Sequence, residues 1–119
     1  MNDQQVIATL ARLSIAMRAT GYRWETDTYN SAVGDLAASK QQLAYIRMVK
    51  PIFQTLDADE QRILWYLYLS GAHISAIDLH TQLGYSHGTF YRKRRTALNE
   101  LGKLLTAAGI STGKTDTLK

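Results

Sequence analysis

Residues 83–101, LGYSHGTFYRKRRTALNEL, decide how the rest of this chain is read. The stretch opens on Gly84-Tyr85-Ser86, a turn signal, and continues as a helix. Arg92, Lys93, Arg94 and Arg95 run consecutively in that helix, with no acid before Glu100. Just upstream, Ser75 to Leu83 reads as a short helix that Gly84 terminates, with Ser75 as its cap and Asp78 near its positive end. Ser86 caps the following helix, predicted over about His87 to Ala107 and ended by Gly109. Two helices joined by a tight Gly-containing turn, the second of them basic, form the pattern of a helix-turn-helix.

At 3.6 residues per turn, Phe90, Ala97, Leu101 and Leu104 share a broad apolar face that Leu98 and Leu105 widen. His87, Gly88, Tyr91, Arg92 and Arg95 fall away from that face, and Thr89 and Arg94 fall at its flanks. The first three turns therefore present a polar, cationic surface, and the last two are expected to be chiefly structural. A DNA major groove admits one helix and is read by its N-terminal turns, and an Arg fork suits a guanine edge. Gly88 leaves room for close approach, and the free N–H groups from Ser86 to Gly88 suit a phosphate. The residues expected to contact double-stranded DNA are Ser86, His87, Gly88, Thr89, Tyr91, Arg92, Arg94 and Arg95.

The charge distribution points the same way. The net charge of +4 is unevenly placed: residues 1–56 carry +2, residues 57–85 carry −3 and residues 86–119 carry +5. Such asymmetry suits a polyanionic partner. The single proline and the lack of strand-like alternation argue for an all-α chain, and the absence of cysteine excludes disulfides and thiolate metal sites. His73, His80 and His87 recur every seven residues but fall in different elements without a supporting ligand set, so no metal or other cofactor is expected. No nucleophile motif, phosphate-binding Gly-rich loop or paired carboxylates appear, so the chain is not read as an enzyme. The longest apolar run, Ile63 to Leu69, is too short to span a bilayer, and the polar start MNDQQ is unlike a signal peptide. A cytoplasmic location and no membrane partner are expected.

Toward the N-terminus, Asn2 or Asp3 is expected to cap a helix running to about Ala19, ended by Gly21, with Val6, Leu10, Leu13 and Met17 inward. Tyr22 to Asn30 reads as a connection that packs its aromatic rings onto the helices. A second helix is predicted over about Ser31 to Val49, with Val33, Leu36, Leu43 and Ile46 inward. Pro51 is expected to break it and open a new turn, Pro51 to Thr55. Asp57 with Glu60 three residues on marks the start of a third helix, Ala58 to Leu69. Ile63, Leu64, Leu67 and Tyr68 are placed inward, and Trp65 and Tyr66 half-buried. The implied organisation is an N-terminal helical hairpin over residues 1–55, a three-helix helix-turn-helix unit over 56–108 and a frayed tail over 109–119.

LGYSHGTFYRKRRTALNEL resembles the helix-turn-helix of ArpU-type phage late-gene regulators and, more distantly, the last DNA-reading region of sigma-70-type factors. The resemblance rests on Leu83-Gly84-Tyr85-Ser86, on Thr89-Phe90-Tyr91-Arg92 and on Ala97-Leu98 with Leu101, and spans about Leu56 to Leu105. Lys93 stands where the family is usually apolar, so its stem is expected along the core edge with the amine outside. His80 stands where the family has a small residue, at the crossing of the two motif helices. The resemblance implies a sequence-specific DNA-binding regulator of phage or prophage late genes, acting in a bacterial host cell, with RNA polymerase as a possible partner. The hairpin would then serve homodimer formation or polymerase contact. A small terminase-like DNA-packaging subunit and a protein-interaction module without DNA binding are the alternatives.

Overall fold

The computed structural model describes residues 1–30, 37–72 and 74–110. The predicted hairpin residues Ser31 to Leu36, the turn residue His73 and the tail from Ser111 lie outside these. The described residues form α1 (Asp3–Thr20), α2 (Ala37–Phe53), α3 (Ala58–Leu64), a π-helical turn (Trp65–Leu69), α4 (Ala76–Leu83) and α5 (His87–Ala107). The fold is all-α, and among the described residues no strand forms beyond one isolated bridge between Arg23 and Thr28.

Local chemistry sets the helix ends. Asn2 and Gln5 form a reciprocal capping box on α1: the Gln5 N–H donates to Asn2 Oδ1 and the Asn2 N–H to Gln5 Oε1, each at 2.9 Å. Gly21 closes α1 in the left-handed region at φ 66°, which glycine enters without a Cβ penalty. The predicted inward stripe Val6, Leu10, Leu13 and Met17 is buried. In the 22–30 connection Tyr22 and Trp24 pack onto the helices as expected, while Tyr29 stays exposed. Trp24 packs edge-on against Phe53 at 5.6 Å and at a tilt against Trp65 at 5.2 Å, and Tyr22 is buried.

Tyr22 also joins a polar clasp. Its hydroxyl donates to Asp27 and accepts from Lys50 Nζ at 2.9 Å, while Arg47 Nε lies 3.6 Å from Asp27. The Tyr22 bond holds the Asp27 carboxyl below the usual carboxylate range, outweighing the opposing effect of burial, and the Arg47 and Lys50 charges add to it. A depressed folded pKa contributes stability above the unfolded value, about 3.9, and that contribution disappears as pH falls through the folded one. Asp27 sits at φ 53°, a conformation asparagine adopts readily. We therefore expect the melting-temperature gap between wild type and Asp27→Asn to be widest near neutral pH and to close as pH drops below about 4. A gap independent of pH would place the Asp27 effect in packing and not in charge.

Two expectations about helix ends are corrected. Pro51 does not break the second helix, which continues through it to Phe53. A proline there forfeits one hydrogen bond and costs about 3 kcal/mol in a helix interior. Val49 and Phe53 flank it and are 0% and 1% exposed, and burying side chains of this size returns ~1.5–3 kcal/mol each. The proline ring itself is exposed, in the last turn. The third helix does not stay α-helical to Leu69. From Trp65 it widens into a π turn, closed by the Ser70 N–H on the Trp65 carbonyl at 2.8 Å. Ser14 on α1 donates to the Leu69 carbonyl at 3.3 Å, satisfying one acceptor at the irregular end. The extra residue in the turn lets Trp65 meet Trp24, Tyr68 meet α5 and Leu69 enter the core, and it leaves Tyr66 exposed instead of half-buried.

The main core is continuous across position 55. Val6, Leu10 and Leu13 of α1 and Ile46, Val49 and Phe53 of α2 share it with Leu64, Leu69, Leu98, Leu101 and Leu105. A second, smaller cluster of Ile63, Leu79 and Phe90 fastens α3, α4 and α5 together, with Leu83, Tyr85 and Tyr91 packed around it.

Candidate nucleic-acid interface

The helix-turn-helix expectation concerns α4, α5 and the turn between them. Ser75 Oγ accepts the Asp78 N–H at 3.1 Å and starts α4; Gly84 ends it at φ 78°, with its own N–H on Thr81 and the Tyr85 N–H on His80. Two residues later Ser86 Oγ accepts the Thr89 N–H at 3.3 Å and starts α5. The chain thus reverses in three residues between two Ser-capped helices, because Gly84 supplies the left-handed turn and the serines satisfy N–H groups that a helix start leaves free. His80 occupies the crossing half-buried, its Nδ1 3.2 Å from the Tyr85 carbonyl and its ring 5.8 Å from both His87 and Phe90.

The eight candidate residues divide three ways. Ser86, His87, Gly88, Arg92 and Arg95 are exposed. Arg92 and Arg95 make no ion pair with any described residue. Thr89 and Tyr91 are half-buried: Thr89 is tied to Ser86 through both its N–H and its hydroxyl, and Tyr91 packs edge-on against Phe90 at 5.3 Å and tilts over His87 at 4.6 Å.

Arg94 is corrected. It does not flank the apolar face but sits within it, four residues after Phe90 and four before Leu98, both of which are buried. Its Nε and Nη2 donate to the Tyr68 hydroxyl at 3.0 and 2.6 Å, and the guanidinium lies 5.9 Å from the centre of that ring. A long side chain with a polar head suits this place between Phe90 and Leu98, its stem along the apolar surface and its head on a phenol.

Lys93 is held on the other side, as its core-edge position leads one to expect. Its amine is 3.5 Å from Asp59 and 5.4 Å from the centre of the Tyr85 ring. Asp59 also lies 3.7 Å from Arg62. Burial, and then the bond to Asp59, raise the Tyr85 phenol above its usual pKa. Asp59 thereby links α3 to α5 and to the turn that precedes it. Of the four consecutive cations, two brace the fold and two face outward.

The outward line of α5 continues beyond the first three turns. Asn99 and Lys103 are exposed and follow Arg92 and Arg95 at helical spacing. The sequence reading assigned those turns to structure because their leucines dominate the pattern. Extending the 3.6 period from Arg92 finds the polar line directly, and counting from Phe90 finds the inward Arg94. The partners of Arg94 and Lys93, Tyr68 and Asp59, carry no such signal, because they come from elements 26 and 34 residues away.

Comparisons of this chain with protein-family models, with curated proteins and with solved structures returned no match.

Proposed function

We propose that the chain is a DNA-binding transcription regulator that lays the N-terminal half of α5 in the major groove of duplex DNA. One observation carries this reading. Gly88, Arg92 and Arg95 form an exposed line at the start of a Ser-capped helix, presented by a tight turn from α4, and neither guanidinium is spent on an acid among the described residues. Arg92 and Arg95 can donate to guanine edges or phosphates. The N–H groups near Ser86 and the dipole of α5 favour a phosphate at the helix start. The buried face of α5, Phe90, Ala97, Leu98, Leu101 and Leu105, fixes its rotation and with it the aim of the outward pair, while Tyr68 holds Arg94 and Asp59 holds Lys93. The resemblance of residues 83–101 to ArpU-type regulators extends the proposal to phage or prophage late genes. One such helix covers little DNA, so useful selectivity calls for a second copy or RNA polymerase alongside it.

Gly88 provides a test with two readouts of opposite sign. A Cβ added at Gly88 would meet, among the described residues, nothing within 4 Å beyond its chain neighbours and its own helix backbone, so no described packing contact requires glycine there. Alanine in a helix is favoured over glycine by about 0.8–1.0 kcal/mol. We expect Gly88→Ala to raise the unfolding free energy by roughly 0.5–1 kcal/mol in a urea titration and to weaken DNA binding in a mobility shift. Equal or tighter binding by the stabilised variant would remove close backbone approach from the reading. The reading as a whole is tested by selecting bound fragments from random duplexes. Enrichment of a common motif supports it, and no retained DNA at low salt rejects it.

A further inference from the structure

The length of α5 exceeds what a groove reader needs, and its outward line does not stop where the groove would. Lys103 follows Arg92 by eleven residues, which is about 16 Å along the axis and within ~20° of the same line. A major groove is about 8.5 Å deep. With the start of α5 inclined into the groove and Arg92 among base edges, Lys103, about 16 Å further along the axis, clears the groove and comes beside the phosphate ridge. Lys103 is exposed, and although Glu100 stands three residues earlier the two form no salt bridge. The opposite side of the same turns is committed to the core through Leu98, Leu101, Leu105 and the buried Gly102, so the distal half of α5 cannot tilt away independently of the reading half.

We infer that α5 carries a second nucleic-acid contact, made by Lys103 with a phosphate flanking the bases read by Arg92 and Arg95. This rests on the proposed reading and adds a located, sequence-independent anchor to it. The anchor sets where along the groove the reading turns come to rest, as phosphate contacts generally do.

The test is a salt titration of the full chain with a duplex selected by the wild type, repeated on a scrambled duplex and on versions shortened from each end. Removing one phosphate contact lowers the slope of log affinity against log salt by about 0.9. We expect Lys103→Gln to show that change on both selected and scrambled duplexes, shrinking the affinity lost between roughly 50 and 200 mM salt by about 3.5-fold. Lys103→Arg should restore the slope. On a duplex trimmed past the flanking phosphate, wild type and Lys103→Gln should become indistinguishable. An unchanged slope for Lys103→Gln, beside a reduced slope for the Arg92 and Arg95 double variant, overturns the anchor and leaves the reading standing. A difference that persists on every trimmed duplex also overturns it, because the charge would then act at no fixed place. No binding by the wild type at any salt overturns both.

Discussion

Replacing Arg92 and Arg95 together by alanine is expected to weaken DNA binding by at least about 30-fold, the equivalent of ~1 kcal/mol from each lost contact. Wherever these side chains meet phosphates, the salt dependence should flatten by up to ~1.8 in slope. Folding should be untouched, because both side chains are exposed and make no ion pair with a described residue. The neighbouring Arg94→Ala is the matched control. It removes one charge of the same kind from the same helix but takes away both hydrogen bonds to Tyr68, so it should lower stability by roughly 1–2 kcal/mol and change the salt slope little. The comparison separates a located interface from a general basic field, since a field responds to the number of charges and not to where they point. If the double variant and Arg94→Ala both lose binding in proportion to the charge removed, α5 has no reading face. If the double variant binds as the wild type does in a mobility shift, the outward line is not the interface.

The second large effect concerns Phe90, one turn away. Phe90 is fully buried at the centre of the small cluster with Ile63 and Leu79. Truncating a buried phenylalanine typically costs about 3–5 kcal/mol, a large share of the ~5–15 kcal/mol that holds a domain together. The loss has a particular direction here. α4 has only eight residues, too few to persist without tertiary support, and that support comes chiefly from Leu79 against Phe90 and Ile63. We expect Phe90→Ala to move the urea midpoint down by the corresponding amount and to abolish binding through loss of the α4–α5 arrangement, although residue 90 itself faces away from the proposed duplex. A stability change under about 1 kcal/mol would contradict the packing described here.

Much of this was legible in the residues because it is local. Capping oxygens at Asn2, Ser75 and Ser86 and left-handed glycines at 21 and 84 act within four residues of themselves, and the inward stripe of α1 follows from helical period alone. The all-α class followed from the single proline and the lack of strand-like alternation. What was not legible depended on partners far along the chain. Pro51 is tolerated because Val49 and Phe53 are gripped by other helices. The run from Trp65 to Leu69 has five large side chains in succession, and which of them turn inward is settled by Trp24, Ser14 and Arg94, none of which is near in sequence. Arg94 is the instructive case within the candidate site. Its chemical type argued for the surface while its register argued for the interior, and register prevailed because a phenol was waiting to receive the head group.

Because leucines on both sides of residue 55 fill one interior, the part that would grip the duplex is not a portable cassette. Cut loose, it would lay bare Leu64, Leu69, Leu98, Leu101 and Leu105 as an oily scar. Any event that prises α1 and α2 away would blunt the grip at a distance, without anything touching α5 itself.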